Sequence, residues 1–175
     1  MEQLTDNEQK LFYDLIERKR RHYEVLKFYP GIWKSIIEKY PESAHFIYEL
    51  LQNADDACAT KVRVELKKEG MIFAHNGTIH FSISKEPDDP TEKVDGHINA
   101  IVGAGASTKS ESEGTNKIGK FGVGFKSVFS YTERPEIYDD KFRFAIENFI
   151  IPFPLSVDHS NRQEGETLFY LPFKN

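Results

Sequence analysis

The sequence predicts an α/β two-layer sandwich, a mixed and mostly antiparallel sheet with helices on one face. Three observations lead there. Apolar residues recur at helical spacing near the N-terminus and again before Cys58. Alternating runs rich in β-branched and aromatic residues follow from Val62 onward, and polar or glycine-rich segments separate them. The chain of 175 residues is the size of one domain, and its 39% apolar and 13% aromatic content is enough for a sizeable core. A disordered or collagen-like protein is thereby excluded.

Thr5-Asp6-Asn7-Glu8 reads as a capping box, and Leu11, Phe12, Leu15 and Ile16 continue it as a helix from Asp6 into the mid-twenties. Arg18-Lys19-Arg20-Arg21 lies on that helix. It reads either as a solvated face balanced by Asp14, Glu17 and Glu24 or as a contact for nucleic acid or an acidic partner. Tyr29-Pro30-Gly31 breaks the helix, a short helix is expected over Ile32 to Lys39, and Pro41 starts a third that runs to about Cys58. Val62, Val64 and Leu66 alternate with charged residues as in a half-buried strand. A second strand, Met71 to Ala74, ends at His75-Asn76-Gly77.

Lys85 to Gly96 is polar and reads as a surface loop, followed by a short helix over His97 to Val102 and a long Gly/Ser/Thr/Lys-rich stretch to Lys120. Pro135 to Tyr138 and Phe142 to Ile146, joined at Asp139-Asp140, read as a hairpin. Thr167 to Phe173 reads as the last strand.

With 23 basic and 28 acidic residues the formal charge is −5, so no global positive field draws the chain to nucleic acid. A phosphate ligand would have to be held locally. The single cysteine, Cys58, cannot form an internal disulfide, and the polar N-terminus lacks the layout of a secretory signal, so a reducing, cytoplasmic setting is expected. Phe149 to Leu155, interrupted by two prolines, is too short to span a bilayer, and a soluble protein without membrane contact is expected.

Three constellations could carry chemistry. At roughly 100° per residue, Glu49, Asn53 and Asp56 project as one stripe beside an apolar face of Ile47, Leu50, Leu51, Ala54 and Cys58. A carboxylate and an amide oxygen at a core margin can share a metal or activate water, and polar residues on an outer helix face give the same pattern. Gly119-Lys120-Phe121-Gly122-Val123-Gly124-Phe125 lets backbone amides approach an anion, and the apolar sequel suggests that a helix begins there. A glycine turn packed on the sheet is the alternative. It matches neither the Walker A spacing nor the dinucleotide fingerprint. His75-Asn76-Gly77 reads as a tight reversal, or as a polar turn offered to a ligand base.

In this order, the phrases E-L-L-Q-N-A-D-D-A, H-N-G, G-K-F-G-V-G-F and G-E-T resemble the GHKL superfamily of Bergerat-fold ATPases. The resemblance is strongest to its heat-shock-90-like, sacsin-type branch, and runs from about Glu42 to Phe173. It implies an ATP-binding domain over residues 41–175, with residues 1–40 as an N-terminal helical extension packed on it. It further implies slow Mg²⁺-dependent ATP hydrolysis, driving conformational change in a larger protein. Glu49 is implied as the general base, Asn53 as the Mg²⁺ ligand and Asp56 as the acidic position near the nucleotide. Gly119 to Phe125 would form the phosphate-contacting hinge of a glycine-rich lid. There the amides of Gly122, Val123 and Gly124 face the terminal phosphates, and Lys120 either adds charge or faces solvent. Thr167 would support the adenine pocket.

The family turn usually reads D-x-G-x-G. Here His75 stands at the aspartate position and Thr78-Ile79 follow Gly77, so the charged acceptor for the adenine amine is lost, leaving an imidazole or the Asn76 amide. A non-catalytic nucleotide-sensing or structural module is therefore the alternative. ATP or ADP, further C-terminal domains and a homodimer are the partners the resemblance suggests.

Overall fold

A computed structural model describes residues 3–31, 45–88, 95–103 and 124–174. Helix α1 (Asp6–Leu26) begins at the predicted box. Thr5 Oγ1 accepts from the Glu8 amide at 3.2 Å, and Glu8 Oε2 accepts from the Thr5 amide at 2.8 Å. Phe12, Leu15 and Ile16 are buried.

The basic run on α1 is only partly a solvated face. Arg20 pairs with Glu17 on the surface, whereas Lys19 is buried and pairs with Glu86 at 2.7 Å. Arg18 donates to the Pro87 carbonyl at 2.7 Å. Lys19 falls three residues after Ile16, on the same stripe as the apolar residues, so its ammonium enters the protein and needs an acidic partner there.

The predicted helix over Ile32 to Lys39 and the start at Pro41 lie outside the described residues. Helix α2 (His45–Asp56) buries Phe46, Leu50, Asn53 and Ala54. The predicted apolar face is corrected: Leu51 and Cys58 are exposed, because the buried arc is rotated toward Asn53. The helix ends in a Schellman motif. The Ala59 amide donates to the Ala54 carbonyl at 2.9 Å and the Cys58 amide to that of Asp55 at 2.8 Å, with Cys58 left-handed at φ 60°.

Glycine usually fills that position, since a side chain there costs about 1–2 kcal/mol. Cys58→Gly is thus expected to stabilise the fold by ~0.5–1 kcal/mol once the extra freedom of unfolded glycine is subtracted. Thermal unfolding should show a rise of ~2–3 °C, and a fall would refute the assignment.

Strands β1 (Val62–Leu66), β2 (Gly70–His75), β3 (Glu136–Tyr138), β4 (Arg143–Glu147), β5 (Ile151–Pro154) and β6 (Thr167–Pro172) form one sheet in the order β1-β2-β6-β3-β4-β5. Every described ladder is antiparallel. Met71, Phe73, Ile137, Phe144, Phe169 and Leu171 project to one face. There they share a core with α1, α2, α3 (His97–Ile101) and the 3₁₀ helix Gly124–Ser130. Ile72, Ala74, Tyr138 and Leu168 form a smaller cluster on the opposite face, into which no described helix packs. This is the predicted two-layer α/β sandwich.

Strand β5 carries Pro152 and Pro154, residues that a strand paired on both sides does not accept. The register explains it. The Leu155 amide donates inward to the Arg143 carbonyl at 2.9 Å, so amides at alternate positions, where the two prolines sit, face away from β4 at the sheet edge. At the other edge, β1 keeps the predicted alternation, but its half-buried reading is corrected: Val62, Val64 and Leu66 are exposed, the last at 76%. The charged face of β1 is the more covered one, since Arg63 donates to the Asn161 carbonyl at 2.9 Å and pairs with Glu166 at 2.6 Å. The helix expected after Gly124 begins there as a 3₁₀ helix, in which Ser127 Oγ donates to the Gly124 carbonyl at 2.7 Å.

Candidate functional site

Helix α2 and the first residue of the 3₁₀ helix meet at Glu49. A Cβ added to Gly124 would lie 1.7 Å from Glu49 Oε2 and 2.6 Å from Oε1, so the carboxylate rests on the glycine backbone with no room for a side chain. The 3₁₀ helix is held there by its apolar residues: Phe125, Val128 and Phe129 are all buried, and Phe125 packs on Phe169 with ring centroids 5.9 Å apart. The acidic helix position and the end of the glycine run, 75 residues apart in sequence, are thus in contact. Lys120, Phe121, Gly122 and Val123 lie outside the described residues.

One turn further along α2, Asn53 is 4% exposed, and its Nδ2 is buried without a hydrogen-bond partner among the described residues. Native proteins pair such groups, and this N–H donor beside Glu49 is one that an acceptor atom of a ligand could meet. Asp56 follows on the same stripe, half-buried in the last turn. Among the described residues no group of three His, Cys, Asp or Glu side chains could hold a metal ion. The donor set of one amide oxygen and one nearby carboxylate suits Mg²⁺, which keeps waters and takes the rest of its oxygens from phosphates.

The other end of α2 supports the polar turn. A Cβ on Gly77 would lie 2.7 Å from both Cβ and the carbonyl oxygen of Ala57, and the Ile79 amide donates to the Ala57 carbonyl at 3.2 Å. His75 is 4% exposed and lies beside Phe73 and Phe169; its Nδ1 accepts from the Gly77 amide at 3.1 Å. Burial pulls its pKa from 6.5 down to about 4, against an opposing pull from Asp139, so the ring is neutral at physiological pH. Asn76, by contrast, is exposed and spends its side chain on the chain entering β1. Its Oδ1 accepts from the Thr60 and Lys61 amides at 3.0 and 2.8 Å, and its Nδ2 donates to Thr60 Oγ1 at 3.0 Å.

Thr167 pairs with His75 across β2 and β6, is buried, and donates from Oγ1 to Asp139 Oδ1 at 2.6 Å. Asp139 is a site residue the sequence reading missed. Fully buried, it also accepts from the Phe81 amide at 2.9 Å and lies 2.9 Å from His80 Nδ1. Asp139-Asp140 has the composition of an ordinary hairpin connection, and only the packing of β3 against β6 separates the buried acid from its neighbour.

Curated relatives match much of this sequence. Human sacsin is 31% identical over 141 residues, 74% of this chain, and the NO VEIN protein of Arabidopsis thaliana is 35% identical over 115 residues, 63% of the chain. The chain belongs to the GHKL superfamily. Within that family the chaperone protein HtpG of Klebsiella pneumoniae matches the GHKL domain at 28% identity over 113 residues, 54% of this chain. The GHKL domain spans only 4% of NO VEIN, 3% of sacsin and 18% of HtpG. No family model matches the chain. No described helix is long and apolar enough to cross a membrane.

Proposed function

We propose that this GHKL domain binds ATP with Mg²⁺ between α2 and the glycine run, hydrolyses it slowly, and so drives conformational change in a larger protein. The observation that carries the reading is the Glu49 carboxylate seated on Gly124. A carboxylate at the end of a glycine run can orient a water toward a terminal phosphate held by backbone amides. Glu49 takes a proton from that water as its oxygen bonds to the γ-phosphorus; the bond from that phosphorus to the β–γ bridging oxygen breaks, and ADP leaves with the electron pair. Asn53 would hold the cation, which supplies charge compensation between the phosphates. The amides of Gly122, Val123 and Gly124 would face the γ-phosphate, with Lys120 and Phe121 in the same hinge. Asp56, His75, Gly77 and Thr167 would line the base end. Phe125 anchors the hinge to the sheet through Phe169.

Calorimetric titration with ATP and ADP, with and without Mg²⁺, tests the reading together with phosphate release. Asn53→Ala is expected to weaken Mg²⁺-dependent ATP binding about tenfold, the scale of one lost charge-assisted contact. Equal affinity of parent and variant would remove Asn53 as the cation's ligand. His75 at the position where the family carries an aspartate favours a second reading, a nucleotide sensor without turnover. Binding of ATP and ADP with no phosphate release would select it.

A further inference from the structure

We propose that the base end of this pocket recognises a 6-aminopurine with hydrogen-bond polarity set by three residues: His75 Nε2–H donates to the ring nitrogen N1, Thr167 Oγ1 accepts from the exocyclic amine, and Asp139 positions the threonine. The inference deepens the nucleotide-binding reading and rests on it.

Donor counting fixes the polarity. A neutral imidazole has one N–H and one bare nitrogen. His75 Nδ1 accepts from the Gly77 amide, so it is the bare one and the proton resides on Nε2. That bond is the only side-chain hydrogen bond His75 makes among the described residues, which leaves Nε2–H to give. A hydroxyl has a single hydrogen, and that of Thr167 goes to Asp139 Oδ1, so toward anything else Oγ1 is an acceptor. Asp139 cannot swing away from the threonine, because the Phe81 amide fixes Oδ2 and His80 Nδ1 lies 2.9 Å from Oδ1.

Residues 75 and 167 are cross-strand partners. Both project to the helical face, as Phe73 and Phe169 do two residues away on the same strands. A donor therefore stands beside an acceptor on that face. Adenine presents the complement, a bare N1 beside an amine. A 6-oxopurine presents N1–H beside a carbonyl oxygen, so both pairings become like against like. An aspartate at position 75 could only accept, and would leave N1 unread.

Affinities of the parent chain for ATP, 1-deaza-ATP, which has a C–H in place of N1, and inosine triphosphate test the inference. The expected result is at least tenfold weaker binding of each analogue than of ATP. In His75→Phe the penalty on 1-deaza-ATP should vanish. In Asp139→Asn, which can turn the Thr167 hydroxyl around, the penalty on inosine triphosphate should shrink while that on 1-deaza-ATP stays, a split that mere loosening of the pocket would not give. ATP binding with equal affinity for both analogues overturns this inference alone, whereas absence of ATP binding overturns the nucleotide reading with it. The analogue series on the parent decides the matter even where a variant fails to fold.

Discussion

Glu49→Ala is expected to lower Mg²⁺-dependent phosphate release at least ~100-fold while changing ATP affinity by less than about threefold, the signature of a group that acts on the attacking water. The structure supplies a second way to make the same perturbation. In Gly124→Ala the new methyl would coincide with the Glu49 carboxylate, so the acid must leave its seat although its own side chain is intact. Phosphate release should fall by a similar factor. The double variant should cost little more than either single one, because the second change removes what the first has already displaced. Additive losses would mean that Gly124 acts on the phosphates independently of Glu49. Undiminished release from Glu49→Ala would exclude the base.

Lys126→Met is the second large effect, and it is one of stability. Lys126 is fully buried in the 3₁₀ helix, with its ammonium on the Phe149 carbonyl and 5.7 Å from the Phe129 ring centroid. Burial, aided by Lys19, lowers its pKa from 10.5 to about 7. Between those two values the unfolded chain holds a proton that the native state has released. The contribution of this group to stability therefore rises with pH from about 7 to 10.5, and below 7 the full cost of burying the charge is present. Methionine removes that cost together with the hydrogen bond that Lys126 gives the Phe149 carbonyl. The net expectation is a gain of ~2 kcal/mol at pH 6.5, after about 1–3 kcal/mol lost at the carbonyl. The gain should disappear by pH 10. Urea unfolding of both proteins at the two pH values checks it. An identical pH dependence in parent and variant would show that Lys126 keeps its charge in the fold.

Much of the fold is legible in the sequence because its signals are local. Thr5 and Glu8 announce the start of α1 through their mutual hydrogen bonds, and the alternation around Val64 announces a strand whatever covers it. The features that escape depend on neighbours distant in sequence. The two prolines of β5 are tolerated only because β5 is an edge strand, and edge position is a property of the assembled sheet. Lys19 reads as solvated until the fold sets Glu86 opposite it. At the site, the pairing of Glu49 with Gly124 accords with the order of motifs. Asn76 and Asp139, by contrast, differ from their sequence reading through hydrogen bonds to residues 15 or more positions away. Composition cannot distinguish an amide that braces a loop from one that faces a ligand.

Helix α2 touches the glycine run through Glu49 near one end and the His75 turn through Ala57 just past the other. Eight residues of helix, about 12 Å, separate the two contacts. At each, a methyl group placed on the glycine would overlap the residue opposite it, the Glu49 carboxylate at Gly124 and Ala57 at Gly77. One rigid element thus carries both footings, and sliding it along its axis would displace the two by the same distance.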